Sequence, residues 1–379
     1  MDAQKTPLHA IHQDHGARMV PFAGWDMPVQ YGSIRDEHLA VRTQAGLFDV
    51  CHMGEFLFKG RVAAELLQRL STNDLSGLAV GRCHYSFFLL ESGGTVDDTM
   101  IYRIGSDEYL AIVNAGNIDK DWAHVESVAK SFPGADITDQ SAKYGLLALQ
   151  GPLSLELMKS LVSTDLVALP FHFIVKDNIG GIDVRIATSG YTGENGLEIF
   201  VSADKVVNLW EILINLEGVS PCGLGSRDTL RLEASLALYG NELDDETSPI
   251  EARLGFAVSH SGKYIGSDVI AKQRSSGTRK TLVSIEMTDR AIPRQGYIVE
   301  SSDAQEIGVV TSGSLAPFLN KNIGMAYIKP KYAKMGSTVG IRVRDKVVAA
   351  KLVKRPFYKR PTRYLPSACY FLASAASLI

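Results

Sequence analysis

The tightest local constraint on this chain is the stretch from Leu90 to Tyr102, LESGGTVDDTMIY. Gly93-Gly94 is a tight-turn signal. Strand-forming runs flank it, Cys83 to Leu90 before and Val96 to Ile104 after, so the chain must fold back on itself as a hairpin. Asp97 and Asp98 interrupt the second run. Aspartate is depleted in strands, and neighbouring strand residues point to opposite faces. Only one of the pair can therefore face a given cavity. Two readings stay open: a β-bulge or capped turn, or a carboxylate turned into a pocket to handle protons.

The totals bound what surrounds this hairpin. A chain of 379 residues holds two or three domains and can bury a sizeable core. Its 34 glycines suit a turn-rich protein with much β structure. A net charge of −3 supplies no general drive toward nucleic acid or an anionic membrane. No run reaches the roughly 18 apolar residues of a membrane helix. Met1 to Lys5 lacks a basic-then-apolar signal pattern, so a cytoplasmic location is expected. Cys51, Cys83, Cys222 and Cys369 form no C-x-x-C pair or zinc spacing and read as reduced thiols. His9, His12 and His15 can share a helix face, but no carboxylate-rich motif accompanies them and no metal is expected. Cys369 to Ile379 is apolar, uncharged and too short to span a bilayer. It is expected to pack on the body or stay disordered.

In order along the chain, Ser33 is a plausible N-cap with Asp36 three residues on, starting a helix that runs to about Ala45. His52 to Phe58 alternates as a half-buried strand does. Arg61 to Leu70 and Asn117 to Ser131 read as helices, and Glu108 to Asn114 as a strand. This region is a strand-and-helix α+β unit. Tyr144 to Leu149, Gly181 to Ala187 and Leu197 to Val201 are further strands. Lys205 to Leu216 and Thr229 to Leu238 are helices. From about Lys280 short strands alternate with turns, which indicates a small barrel or jelly roll.

Two more charged residues stand out. The loop around Tyr191 carries Gly190, Gly193 and Gly196, but it joins two strands and has neither the dinucleotide fingerprint nor a phosphate-cradling Lys-Ser/Thr end. Glu198 follows it, one residue into an apolar strand, facing either a pocket or solvent. Arg227 sits where a helix should begin. There it can present a bidentate fork to a planar group or carboxylate, or form an ordinary salt bridge to Asp228 or Glu233.

A resemblance joins these residues. The runs Phe22-Ala23-Gly24-Trp25, His52-Met53-Gly54, Gly93 through Asp98, Val113 through Gly116, Gln150-Gly151-Pro152, Ser189 through Glu194, Arg227-Asp228 and Leu238 through Glu242 occur in order. Over residues 6 to 358 the chain resembles the folate-dependent aminomethyltransferase of the glycine cleavage system, the T-protein. The resemblance implies an α+β three-domain cloverleaf around a central cavity for tetrahydrofolate. Antiparallel sheets and helices fill its N-terminal two-thirds, and a jelly-roll-like barrel follows. The expected division is 1–278, itself two interleaved subdomains (roughly 1–50 with 140–240, and 51–139 with 241–278), then 279–364, then the tail 365–379.

The resemblance also implies roles. Asp98 points at the folate nitrogens, Glu198 reads the pterin edge, and Arg227 lies near the glutamate tail. Tyr85, Tyr109, Asn114, Phe171 and Tyr191 line the cavity, with Met53 at its mouth. A C-terminal tyrosine belongs to the family site; Tyr364 is expected, with Tyr358 as the alternative because the spacing after Pro356-Phe357 differs. The donor is an aminomethyl group on the lipoyl arm of a partner, the H-protein. No flavin and no metal are expected. The rival readings are a folate-dependent demethylase on the same scaffold, and a non-catalytic folate-binding protein of iron–sulfur maintenance centred on a reactive cysteine.

Overall fold

The structure is a computed structural model that describes residues 3–361; Tyr364 and the apolar tail lie outside the described residues. Two sheets and a closed barrel carry most of the chain. The first sheet has five antiparallel strands in the order Cys83–Leu89, Thr95–Gly105, Glu108–Val113, Gly54–Lys59, Asp136–Asp139. The second has six, in the order Ile174–Ile179, Ile182–Ala187, Gly196–Ser202, Tyr144–Gln150, Ala45–Asp49, Val219–Pro221. Its last pair is parallel and the others antiparallel.

The sheets face each other through Leu57, Tyr102 and Leu110 on one side and Phe48, Leu146 and Phe200 on the other. Helices cover their outer faces. Gly60–Leu70 and Ile118–Ala129 pack on the five-stranded sheet, and Val206–Ile214 on the six-stranded one. The amphipathic spacing of Ala63, Leu66, Leu67 and Leu70 makes the first of these one apolar stripe.

The C-terminal strands close into a six-stranded barrel with its own apolar interior. Its outer wall, through Ile323, Met325 and Tyr327, packs against Leu232 of the helix Leu224–Glu233. The expected mixed α and β architecture with a C-terminal barrel is therefore present. The predicted helix from Thr229 is displaced: it begins at Leu224. A distant group makes the earlier start possible, because the Glu37 carboxylate accepts the Gly223 N–H at 2.8 Å and the Ser226 hydroxyl at 3.2 Å. No local pattern announces a cap supplied from residue 37. The Ser33 cap does form, accepting the Asp36 N–H at 3.1 Å. His9 and His12 turn to different carboxylates, Asp26 and Asp49, each at 2.8 Å.

The Gly93-Gly94 turn docks on the polar segment that follows the helix Leu224–Glu233. The Thr95 N–H donates to the carbonyls of Asp244 and Thr247. A Cβ on Gly94 would lie 1.7 Å from the Asp245 carbonyl oxygen, a backbone clash that no rotamer relieves. Gly94→Ala is expected to destabilise the fold by about 2–3 kcal/mol or more, the cost of forced overpacking. Gly77→Ala, where a Cβ meets open space, is expected to stay within about 0.5 kcal/mol. Denaturant unfolding of both variants checks the pair.

Candidate active site

A chamber of about 1000 Å³ opens where the two sheets, the helix Leu224–Glu233 and the loop after it meet. That size suits a drug-sized or cofactor-sized ligand. Strand alternation decides what enters it. Asp98, Met100 and Tyr102 of the strand Thr95–Gly105 line the chamber. Val96 and Ile101 pack into the helix-covered core behind the sheet. Asp97 is fully buried on that rear side. The bulge and the inward-facing carboxyl occur together. A bulge displaces the register next to Leu89, where Phe88 pairs with Asp97 but Leu89 with Thr95, and Asp98 turns into the chamber.

Asp98 accepts the Tyr85 hydroxyl at 2.7 Å and an Asn114 Nδ2 hydrogen at 2.9 Å. Protein surrounds this carboxyl although the chamber reaches it. Burial, and then the charge of Asp97, push its pKa up to about 7; the bonds from Tyr85 and Asn114 oppose the rise. A carboxyl that takes and gives a proton near neutrality can serve as acid or base.

Across the chamber Glu198 is also inside. It accepts the Tyr102 hydroxyl at 3.0 Å and the Ser189 hydroxyl. Arg227 makes neither of the salt bridges that sequence alone left open. Asp228 pairs with Arg231, and Glu233 with Arg42 and His38. Arg227 has no ion-pair partner among the described residues; its Nη1 is buried without a hydrogen-bond partner and its guanidinium lies 4.8 Å from the Tyr191 ring centroid. Burial lowers its pKa from the ordinary arginine value. The Tyr191 hydroxyl donates to the Ala237 carbonyl, which fixes the ring. Asn114, Phe171 and Met53 also line the chamber.

Tyr109 does not. It lies two residues from Ala111 and four from Val113, on the face that packs against the helices, and it is 5% exposed in that core. Leu110 and Ile112 take the opposite face, and Ile112 reaches the chamber. The period of two overturns the cavity expectation for Tyr109. Tyr364 falls outside the described residues. Tyr358 stacks over Arg42, 3.9 Å from the guanidinium carbon, and its N–H donates to the Glu233 carbonyl at 2.8 Å.

Sequence reasoning passed over Tyr102, His52 and Phe256, which all line the chamber. Tyr102 was findable, because it stands four residues after Asp98 on one strand and so shares its face. His52 is held neutral, its pKa lowered to about 4 chiefly by burial. Phe256 is 73% exposed and stacks near Tyr85 with ring centroids 6.3 Å apart; no spacing rule marks it.

An antiparallel sheet, a mixed sheet and the segment after the barrel wall an aromatic chamber holding a carboxyl whose pKa is raised toward neutrality, which defines a ligand-binding protein. Family comparison makes the class specific: residues 8–262 match the GCVT N-terminal domain and residues 280–359 the glycine cleavage T-protein C-terminal barrel domain, so the chain belongs to the glycine cleavage T-protein family. Its curated relatives are aminomethyltransferases. That of Geobacillus sp. is 47% identical over 365 residues, covering 94% of this chain and 99% of the relative. That of Bacillus subtilis is 44% identical over 363 residues, with the same coverage. The crystal structure of glycine cleavage system aminomethyltransferase T from Bartonella henselae superposes with a TM-score of 0.87 at 31% identity, covering 94% of this chain and 98% of that one. The enzyme class of the chain is accordingly aminomethyltransferase.

The raised Asp98 pKa carries a stability consequence. Between the unfolded value near 4 and the folded value near 7, the folded chain keeps a proton that the unfolded chain has lost. This group's contribution to stability is complete below about pH 4 and disappears as pH rises through about 7. Asp98→Asn, which mimics the neutral acid, is expected to melt at a higher temperature than the parent at pH 8. The gap should narrow at pH 5, as followed by thermal unfolding.

Proposed function

We propose that the chamber takes tetrahydrofolate as co-substrate and receives the one-carbon unit carried on the lipoyl arm of the H-protein. The observation that carries this reading is the convergence of a near-neutral carboxyl (Asp98), an edge-reading carboxylate (Glu198) and an unpaired guanidinium (Arg227) on one aromatic-walled space. These residue types fit the ligand. A reduced pterin is flat, with a donor-rich edge that a carboxylate can read and faces that aromatic rings can cover. An unpartnered guanidinium suits the carboxylates of its glutamate tail. Glu198, already oriented by Tyr102 and Ser189, would hold the edge; Tyr85, Tyr191 and Phe171 would cover the faces; Arg227 would receive the tail.

Tetrahydrofolate supplies the two amine nitrogens that take up the methylene carbon. In the net reaction the carbon–nitrogen and carbon–sulfur bonds of the donor break. The two folate N–H protons leave with ammonia and with the lipoyl thiol. The chain's part is to move those protons and exclude water. Asp98, ionised, accepts a proton at its carboxylate and returns it to a leaving group; its pKa near 7 makes both directions cheap. Tyr85 and Asn114 hold the carboxylate in one orientation throughout. His52, neutral, adds no competing positive charge to the wall. Orienting both substrates in one chamber supplies a further part of the rate.

The iron–sulfur maintenance reading needs a reactive thiol. Among the described residues Cys51, Cys83 and Cys222 are buried, and burial pushes each thiol well above its ordinary pKa, the setting of inert cysteines; Cys369 lies outside them. Three unpaired thiols also accord with a reducing compartment such as the cytoplasm.

Asp98→Asn is expected to leave folate binding largely intact and cut turnover at least ~10²-fold, with loss of the pH limb near 7 below which the parent slows. Glu198→Ala is expected to weaken folate binding by about 1–3 kcal/mol. Methylenetetrahydrofolate formation from aminomethylated H-protein, run beside methylated sulfur and amine donors, checks the turnover and separates a demethylase. Normal turnover in Asp98→Asn, or preference for a methyl donor, would overturn the reading.

A further inference from the structure

Behind Asp98 the structure buries two more carboxyl groups for which the chemistry above has no use. Asp97 and Asp121 are both fully buried. No lysine, arginine or histidine reaches ion-pair distance of Asp97 among the described residues, yet it is well supplied with amide donors. Its Oδ1 accepts Asn114 Nδ2 at 2.8 Å and Asn117 Nδ2 at 2.7 Å, and its Oδ2 accepts the Asn114 backbone N–H at 2.8 Å. Asp121, in the first turn of Ile118–Ala129, lies close enough to Asp97 that each carboxyl shifts the other's proton affinity. Neither Asp121 oxygen has a hydrogen-bond partner among the described residues. Two bare carboxylates this close together away from water are prohibitively costly, so the pair holds one proton. Asp97 has the amide donors and keeps the charge; Asp121 keeps the proton.

The Asn114 amide connects this pair to the chamber. One Nδ2 hydrogen goes to Asp97 Oδ1 and the other to Asp98 Oδ1. Turning the amide over would press its carbonyl oxygen against both carboxyl groups. The charge on Asp97 therefore decides which end of Asn114 faces Asp98. We propose that Asp97 is a positioning residue that acts on Asp98 through Asn114, and that the proton held on Asp121 is what allows a second acid to remain buried behind the first. The proposal rests on the reading of Asp98 as the proton carrier.

Several groups share the field at Asp98. Tyr85 and Asn114 bond to it, and Tyr191 faces it across the chamber. Asp97 and Asp121 lie behind. Lys120 is bound to Tyr239 at 2.5 Å and to Asp245 at 3.2 Å, so its charge is spent largely outside the pair. Burial raises Asp97 and lifts Asp121 to about 11, in accord with the single shared proton.

A double-mutant cycle with a pH profile tests the assignment. Asp97→Asn alone is expected to lower kcat about tenfold or more and to move the acidic limb about one pH unit lower, since it removes a neighbouring negative charge. Made in Asp98→Asn, the same change is expected to cost less than about twofold further, because the residue it acts through is gone. A purely structural role would cost the same factor in both backgrounds and leave the limb in place, and either result overturns the proposal. Asp121→Asn keeps a neutral donor toward Asp97 and Asp121→Leu does not. The asparagine variant is expected to retain about tenfold more turnover than the leucine variant, and equal losses overturn the role of the proton. If Asp97→Asn does not fold, the Asp121 pair is run through the same cycle with the same criteria. Parent-like turnover in Asp98→Asn itself would instead remove the reading of Asp98 on which this rests.

Discussion

The site depends on one side-chain amide. Asn114 donates to two carboxyl groups on successive residues of one strand, and so ties together side chains that alternation sends to opposite faces of the sheet. The rest of the local fold can be understood as the means of keeping that arrangement dry. Helices close the rear of the sheet around Asp97, and the second sheet, the loop around Tyr191 and the helix Leu224–Glu233 wall the front. Burying like charges side by side is a strained choice on stability grounds alone. It raises the proton affinity of Asp98 toward neutrality.

The same logic explains why hydroxyls and an amide, not cations, meet the carboxylates Asp98 and Glu198. Tyr85, Tyr102 and Ser189 satisfy carboxylates without neutralising them. A lysine in their place would draw Asp98 back toward the ordinary carboxylate range. Arg231, the most buried arginine of the helix Leu224–Glu233, is fully engaged by Asp228, Glu242 and Ser312. Arg227, one turn earlier, is left open. The difference between two arginines four residues apart lies in their surroundings, and separates a structural tie from a side chain with spare valence for a ligand.

How much of this was legible in the sequence follows the range of the interactions. The Gly93-Gly94 hairpin, the Ser33 cap and the spaced strands of the barrel are local patterns, and they appear where expected. The resemblance named the chamber residues that strands and a helix then brought together, Asp98, Glu198 and Arg227 among them. Tyr109, which the resemblance also placed in the cavity, falls on the opposite face of its strand from Ile112, in the helix-covered core. The start of the helix at Leu224 failed because its cap comes from Glu37. The acid pair of Asp97 and Asp121 was hidden for the same reason: 24 positions separate the two residues, and only the packing of a helix behind a strand makes them neighbours.

The closing strap of the barrel has a further implication. Arg355 and Pro356 form part of the chamber wall, and Tyr358 rests on Arg42, itself tied to Glu233 and Glu194. Without Arg355 and Pro356 that side of the cavity would stand open to water. Closure of the chamber therefore depends on residues that follow the barrel in sequence, so a chain cut between Val353 and Arg355 would keep the barrel strands yet lose part of the ligand-facing wall.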